Sequence, residues 1–498
     1  GNSKCLDAFT VALNQACDGH KKRWYVSTME LQLVSLEFCG ACRSVQTLDV
    51  RVVAHTSPSL WPARQSHTTP DRHGPEVSIS SHVPAVQAFG LTWALQMEFL
   101  VETSAIELWA ESGDLRLTWS AAASQGSVIW PQQLKRLVFA SDMPVNMATW
   151  PPSLRQLSFG DDFNQSIAEV VWSASLTQLS FGREFNQPVV GVVWPAPLKQ
   201  LSFGSAFNQP TFGVAWSASL QQLSFGDDFN QSIAEVVWSA SLTQLSFGRE
   251  INQPIFGVGW SASLKQLSFA YRFNQPIVGV VWPASLQQLS FGHDFKQRIA
   301  EVMWPASLQH PSFGNQFNEP IAEVVWPASL KQLWFGNHFN QPIAEVVWPA
   351  SLQQLSFGSS VNQRIAKVVW PTSLQQLSFS SFRFNQPIVE VLWPTSLQQL
   401  SFGNQFNQAV AEVVWPASLQ QLSFGRKFNQ PIAEVVWPAS LQQLSFGNRF
   451  DQPITEVVWP AFLQQLSFGN QFNQPIAEVV WPASLQKLSF GRNFNQPV

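Results

Sequence analysis

The sequence predicts a mainly β protein: a right-handed solenoid of 22-residue coils that stack through two short parallel sheets. A tryptophan recurs every 22 residues, with one 23-residue step near Phe382, and the residues around it repeat with it. A fixed period of about 20 to 50 residues indicates stacked units that cannot bury their apolar faces alone. The repeating tryptophans are at positions 150, 172, 194, 216, 238, 260, 282, 304, 326, 348, 370, 393, 415, 437, 459 and 481.

Two short stretches of each repeat alternate between the inside and the outside of a strand. Residues 157–159 (Leu-Ser-Phe) form the first stretch, and residues 169–172 (Glu-Val-Val-Trp) form the second. Because 22 residues cannot hold a strand and a full helix return, we expect tight turns and coils stacked ~4.8 Å apart. In the coil around Trp334, the pattern predicts that Phe335 and Val346 are buried and that Gln332 and Glu345 are exposed.

An asparagine follows the second phenylalanine of almost every repeat, beginning with Asn164. A buried turn needs partners for its backbone groups, and stacked amides can supply them. We therefore predict an internal asparagine ladder that seals the turn. Asn164 and Asn230 also begin Asn-Gln-Ser sequons. A buried asparagine could not carry a glycan, so the sequons favour, weakly, an intracellular chain.

Two irregularities predict weak points in the array. Pro311 replaces the core leucine of its strand and removes a backbone donor, so we expect a local defect there. The extra residue near Phe382 predicts a second defect.

The regular repeat occupies residues 130–498. Residues 1–54 are predicted to hold an N-terminal helix, at 4–18, and at least one degenerate coil. Residues 55–85 read as a loop or linker, and residues 86–129 as degenerate coils. The last coil, which begins at Trp481, has no polar cap, and this predicts fraying or self-association at that end.

The cysteine pair Cys39-Gly-Ala-Cys42 invites a redox or zinc interpretation. Its two cysteines stand at the glycine and second phenylalanine positions of a degenerate coil, so small apolar thiols are the better interpretation. No metal site and no cofactor are predicted.

Composition and motif content argue against several classes of function. The net charge is −4 and 12% of residues are charged, so no basic surface for nucleic acid is expected. The sequence contains no run of 18 apolar residues, so no membrane span is predicted. The eight histidines are scattered, and no nucleophile triad or phosphate loop is found, so no catalytic residue is predicted.

The motif Pro-x-Ser-Leu-x-x-Leu-x-Phe-Gly-x-x-Phe-Asn-Gln-Pro-Ile resembles the FNIP repeat, a 22-residue relative of the leucine-rich repeats. Good instances end at residues 340–343, 429–432 and 473–476. Tryptophan stands where that family usually carries leucine before proline, which implies a differently packed corner. The resemblance implies a leucine-rich-repeat-like solenoid that binds proteins, and it implies no catalytic residue. We predict a protein-interaction scaffold; the alternative is an adhesive or self-associating surface protein.

Trp334 is one candidate binding residue, because every other regular copy has serine at its position. By alternation its ring points out of the sheet, and an exposed tryptophan in a polar field is a typical hot spot. His310, Lys331 and His338 lie in the same or the adjacent coil. The pair after each glycine, such as Asp161-Asp162, varies between repeats, which suits a ligand-reading edge or an unconstrained turn.

The second valine of each Val-Val pair should face outward, because Val170 and Trp172 belong inside. These valines predict an apolar stripe, bordered by a column of glutamates two residues earlier. We expect the stripe to pack against a protein partner or another copy of the chain. The residues chosen as candidates are Val347, Val414, Val436, Glu345, Glu412 and Glu434.

Overall fold

The structure is a computed structural model. It describes residues 48–53, 95–100, 105–107, 116–119, 127–129, 134–139, 145, 150–379 and 382–497. The predicted helix at residues 4–18 and the predicted linker at 55–85 lie outside the described residues. The chain divides into two compact units, Gly1–Asp227 and Asp228–Val498.

In the first unit, short strands pair in parallel from coil to coil, in the order β1, β2, β4, β6, β7, β8, β9 and β10. A separate pair joins β3 to β5. The strands are β1 (Leu48–Val53), β2 (Leu95–Leu100), β3 (Ala105–Glu107), β4 (Arg116–Trp119), β5 (Ser127–Ile129), β6 (Arg136–Phe139), β7 (Gln156–Phe159), β8 (Gln178–Ser180), β9 (Gln200–Ser202) and β10 (Gln222–Ser224).

In the second unit, twelve strands pair in parallel with their sequence neighbours, and equivalent residues of successive coils face each other. They are β11 (Gln244–Ser246), β12 (Gln266–Ser268), β13 (Gln288–Ser290), β14 (His310–Ser312), β15 (Gln332–Trp334), β16 (Gln354–Phe357), β17 (Gln376–Phe379), β18 (Gln399–Ser401), β19 (Gln421–Ser423), β20 (Gln443–Ser445), β21 (Gln465–Ser467) and β22 (Lys487–Ser489). The parallel solenoid predicted from the period is confirmed.

Each regular coil consists of one strand and three β-turns. After β15, the amide of Phe339 donates to the Gly336 carbonyl oxygen (3.4 Å) and closes the first turn. The amide of Val346 donates to the Ile343 carbonyl oxygen (3.4 Å) in the second turn. The third turn follows the tryptophan and has the same four-residue form. Three turns in 22 residues therefore return the chain to the next strand without a helix.

The prediction of a second sheet is wrong for the regular coils. Residues 345–348 (Glu-Val-Val-Trp) form no strand, and the equivalent stretch forms none elsewhere in the described part of 150–497. The glutamate sits inside the second turn, so the extended segment before the next turn is too short for a ladder. Among the described residues, β3 and β5, in the irregular part of the first unit, form the one second pair of this kind.

The core is a stack of aromatic and aliphatic side chains. Phe335 is buried and lies against Phe339 at a ring-centroid distance of 4.3 Å, and against Phe357 of the next coil at 5.6 Å. Trp393 stacks on Trp370 at 6.4 Å, so the large ring at this corner continues from coil to coil. The predicted burial of Phe335 and Val346 and the exposure of Glu345 are confirmed, whereas Gln332 is half-buried.

The asparagine ladder is formed as predicted. The amide of Asn429 donates to the Asn407 Oδ1 atom (2.8 Å), and the Asn429 Oδ1 atom accepts from the amide of Asp451 (2.9 Å). The ladder is not internal, however, because Asn164 is exposed and Asn230 is half-buried. The turn lies at the rim of the coil, where one side of each amide meets solvent. The sequons therefore carry no argument about the compartment.

Pro311 produces the predicted defect. β14 pairs with β13 over three residues, but it pairs with β15 only through Ser312 and Trp334. Proline has no backbone N–H to donate to the following strand. The insertion near Phe382 is different, because β17 still pairs with β18 and the Asn385 amide still donates to the Asn362 Oδ1 atom (2.9 Å). The strand before the extra residue and the ladder asparagine after it both keep their partners, so the expected second defect does not reach the sheet.

Restoring the repeat residue at this strand should strengthen the array. We expect Pro311→Leu to stabilise the coils on either side by roughly 1–2 kcal/mol, because it adds a ladder hydrogen bond and a larger apolar side chain. Hydrogen exchange should show slower exchange of the amides of β14 and β15. Unchanged exchange in these strands would contradict the link between the proline and the shortened pairing.

Candidate functional site

The outer valines form the apolar surface that the alternation predicts. In each coil the first valine closes the second turn and is buried, as Val435 is, and the second valine points away, as Val436 does. We call the outward residues of the second unit the valine stripe; each is 78–82% exposed. Its members are Val237, Val281, Met303, Val325, Val347, Val369, Leu392, Val414, Val436, Val458 and Val480.

The glutamates two residues earlier form the glutamate column. Each occupies the second turn of its coil and is exposed, and Lys367 is the one basic residue that interrupts them. Among the described residues, the salt bridges are Arg183–Asp161 and Arg272–Glu250, and His293 contacts Asp294, so no member of the column is paired with a cation. The column consists of Glu301, Glu323, Glu345, Glu390, Glu412, Glu434, Glu456 and Glu478.

In the two coils that immediately precede the column, the second turn has a different composition, which was not predicted. Phe256-Gly257 and Val278-Gly279 replace Ala-Glu, and the Phe256 side chain is 70% exposed. Gly257 has φ 76° and Gly279 has φ 78°, a conformation that favours glycine. The substitution of an apolar-glycine pair for Ala-Glu is visible in the sequence and marks this uncharged part of the surface.

A groove of about 630 Å³ runs along the outer face of strands β15 to β22. We call it the Gln–Ser groove, because β16 to β22 each contribute one glutamine or lysine and one serine, and β15 contributes Trp334. The period-two alternation places these side chains outward and the intervening leucines inward. Its polar and aromatic lining consists of Trp334, Gln354, Ser356, Gln376, Ser378, Gln399, Ser401, Gln421, Ser423, Gln443, Ser445, Gln465, Ser467, Lys487 and Ser489.

Trp334 stands at one end of this groove with 52% of its surface exposed, as the alternation predicts. His310 lies on the same face of the sheet in the preceding coil. Burial lowers the pKa of His310, the neighbouring Gln332 side chain acts in the opposite direction, and nearby Lys331 adds a smaller lowering. His338 is exposed in the following turn and is not part of this face.

The variable pair after each glycine is engaged in side-chain contacts in three successive coils. The rings of Tyr271 and His293 stack at 4.5 Å, and the Arg249 guanidinium lies 5.3 Å above the tyrosine ring. The Nη1 atom of Arg272 lies 2.8 Å from an oxygen of Glu250. These side chains bind one another, so here the variable turn contributes to coil packing.

Neither a metal centre nor a membrane-spanning element is found in the described part of the chain. No three histidine, cysteine, aspartate or glutamate side chains there lie close enough together to hold a metal ion. The described residues also contain no helix that is long and apolar enough to span a bilayer.

Comparison with known proteins agrees with the repeat architecture. The family model described as "FNIP Repeat" matches residues 273–316, 339–382, 384–427, 428–471 and 472–498. The crystal structure of CroV588, described as a novel circular LRR protein, is 39% identical over 81% of this chain and 67% of its own, with a TM-score of 0.69. The chain belongs to the FNIP repeat family. The coil at residues 317–338, which contains Trp334, falls between two family matches.

Two further solved structures are more distant from this FNIP repeat protein. An internalin (InlF) from Listeria monocytogenes is 11% identical over 71% of this chain and 84% of its own, with a TM-score of 0.32. A leucine-rich repeat protein from Bacteroides ovatus is 12% identical over 76% of this chain and 79% of its own, with a TM-score of 0.16. A search among curated proteins finds no match.

Proposed function

We propose that this FNIP repeat protein is a protein-interaction scaffold whose valine stripe and glutamate column bind a basic partner with an apolar surface. The observation that carries the proposal is the exposure of Val347, Val414 and Val436, each 78–79% accessible in a regular row. Soluble proteins seldom leave a long contiguous apolar strip uncovered.

Charge complementarity favours a basic partner. Five consecutive coils place a glutamate beside the stripe, from Glu390 to Glu478, and none is neutralised within the described residues. Two such carboxylates ~5 Å apart repel by about 1 kcal/mol in water. Lysine or arginine side chains of a partner would relieve this repulsion, while its apolar side chains cover the valines.

The same charges disfavour a second copy of the chain as the occupant. Two stripes packed face to face would bring two glutamate columns into one interface, and like charges across an interface oppose association. The column therefore gives the stripe specificity, since it admits a basic apolar surface and repels acidic ones. Self-association through the stripe is the alternative that the experiment distinguishes.

The test measures binding of a short labelled peptide of alternating leucine and lysine by fluorescence anisotropy. We expect the protein to bind this peptide and not its leucine-glutamate counterpart. The triple variant Val347→Lys, Val414→Lys and Val436→Lys should bind at least about tenfold more weakly, since it introduces like charge and removes apolar contact. Glu412→Gln with Glu434→Gln should weaken binding less and reduce its salt dependence.

A matched control separates the stripe from net charge. Asn337→Lys, Asn448→Lys and Asn470→Lys add the same three charges at exposed first-turn positions, where Arg426 already places a cation in another coil. This control should bind the leucine-lysine peptide nearly as the parent does. If the two triple variants lose the same affinity for the peptide, the loss results from net charge alone, and this would contradict the proposal. Sedimentation that shows a dimer abolished only by the valine variant would assign the stripe to self-association.

A further inference from the structure

The Gln–Ser groove is electrically neutral over almost its whole length. From Trp334 to Ser467 its lining contains no ionisable side chain, and Lys487 in the last strand is the one charged residue that contributes to it. A nucleic acid needs lysine or arginine contacts to its phosphates, and this surface offers no row of them. The groove therefore suits an uncharged ligand that forms many hydrogen bonds.

The groove also repeats the same chemical groups in every coil. Strand pairing places Gln399, Gln421 and Gln443 in one row, with the serines in a second row beside it. The carboxamides of these three glutamines form no hydrogen bond with another described residue. Each carboxamide and each hydroxyl can both donate and accept, and the rows advance ~4.8 Å per coil. A uniform row of this kind matches a polymer with a repeating unit.

Trp334 adds a flat apolar surface to this polar row. It is in register with Ser356 of the next strand, so its half-exposed ring continues the serine row. Tryptophan combines a large apolar face with a polar edge, which suits a ligand ring with an apolar face and a rim of hydroxyl groups.

We propose that the Gln–Ser groove binds a neutral polysaccharide, with Trp334 stacking against a sugar ring at one end. Neutral sugar polymers combine uncharged hydroxyl groups, a repeating unit and rings with an apolar face. An extended peptide fits less well, because peptide recognition uses separate pockets for different side chains and this groove has the same lining in each coil. The groove and the valine stripe are formed by different residues.

Affinity electrophoresis in native gels tests the proposal directly. The probes are soluble neutral polysaccharides (a mixed-linkage β-glucan, a glucomannan, an arabinoxylan and amylopectin), with alginate as the anionic comparison. We expect at least one neutral polymer to retard the full chain and alginate to have no effect. Trp334→Ser, which restores the residue of the other repeats, should weaken the retardation about tenfold.

A second aromatic residue gives a matched control. Phe462 is 64% exposed and replaces the serine of the third turn, outside the groove. Phe462→Ser should leave the retardation unchanged, and so should the triple lysine variant of the valine stripe. Gln399→Ala with Gln421→Ala and Gln443→Ala should reduce it, with circular dichroism confirming the fold. The proposal is overturned if no neutral polymer retards the chain, if Trp334→Ser and Phe462→Ser act alike, or if a peptide library competes for the groove.

Discussion

Phe335→Ala is expected to destabilise its coil by about 3–5 kcal/mol. The Phe335 ring is buried and stacks on Phe313 at 5.8 Å and on Phe357 at 5.6 Å, so its removal opens a cavity in three consecutive coils. Because a solenoid is stabilised by contacts between neighbours, the loss should appear first as local opening. Native-state hydrogen exchange should therefore accelerate in β14, β15 and β16 more than in β20.

Trp334→Ser is the matched control for this substitution. It removes an aromatic ring from the adjacent position of the same strand, but that ring is half-exposed and lies outside the core. We expect a change within about 0.5 kcal/mol, which is usual for surface substitutions. Equal effects of the two variants would show that the inward and outward faces of the strand are misassigned.

Asn429→Ala is expected to have the second-largest effect, a destabilisation of about 1–3 kcal/mol. The Asn429 Oδ1 atom accepts from the Asp451 amide at 2.9 Å and from the Gln452 Nε2 atom at 3.0 Å. The truncation leaves both donors without this partner in a half-buried turn, and an unsatisfied donor costs more than a hydrogen bond contributes. Urea unfolding and exchange of the Asp451 amide would measure the change.

The asparagine ladder has a natural interruption, and repairing it should increase the stability. Lys296 stands at a ladder position, and its ammonium group cannot accept a hydrogen bond from the amide of Asn318 in the next coil. Lys296→Asn should therefore stabilise the second unit by about 0.5–1.5 kcal/mol. If Asn429→Ala and Lys296→Asn both leave the stability unchanged, the ladder does not hold the turns together.

The alternation of apolar and polar residues correctly predicted which side chains point inward and which point outward. It placed Phe335 and Val435 inside and Trp334 and Val436 outside, because side chains of an extended chain point to opposite faces whether or not they join a sheet. It failed for residues 345–348, where an extended pattern does not form a second sheet. That difference depends on the turn closed by Val346, which a hydrophobic pattern does not reveal.

The candidate surfaces were less completely predictable. The valine stripe and the glutamate column follow from position within the repeat, so their placement was accessible from the sequence. The Gln–Ser groove was overlooked because single glutamines and serines signal nothing until strand pairing aligns them across coils. His338 was grouped with Trp334 by proximity in sequence, but the turn that follows Gly336 carries it to another face.

Methyl NMR of the valine pairs tests the proposed binding surface most directly. Each coil provides an outer valine and an inner valine next to it, as in Val346–Val347, Val413–Val414 and Val435–Val436. With valine methyl groups labelled, titration with the leucine-lysine peptide should shift the outer methyl signals and leave the inner ones nearly unchanged. Shifts confined to other surfaces, with Val347, Val414 and Val436 unaffected, would contradict the proposed function.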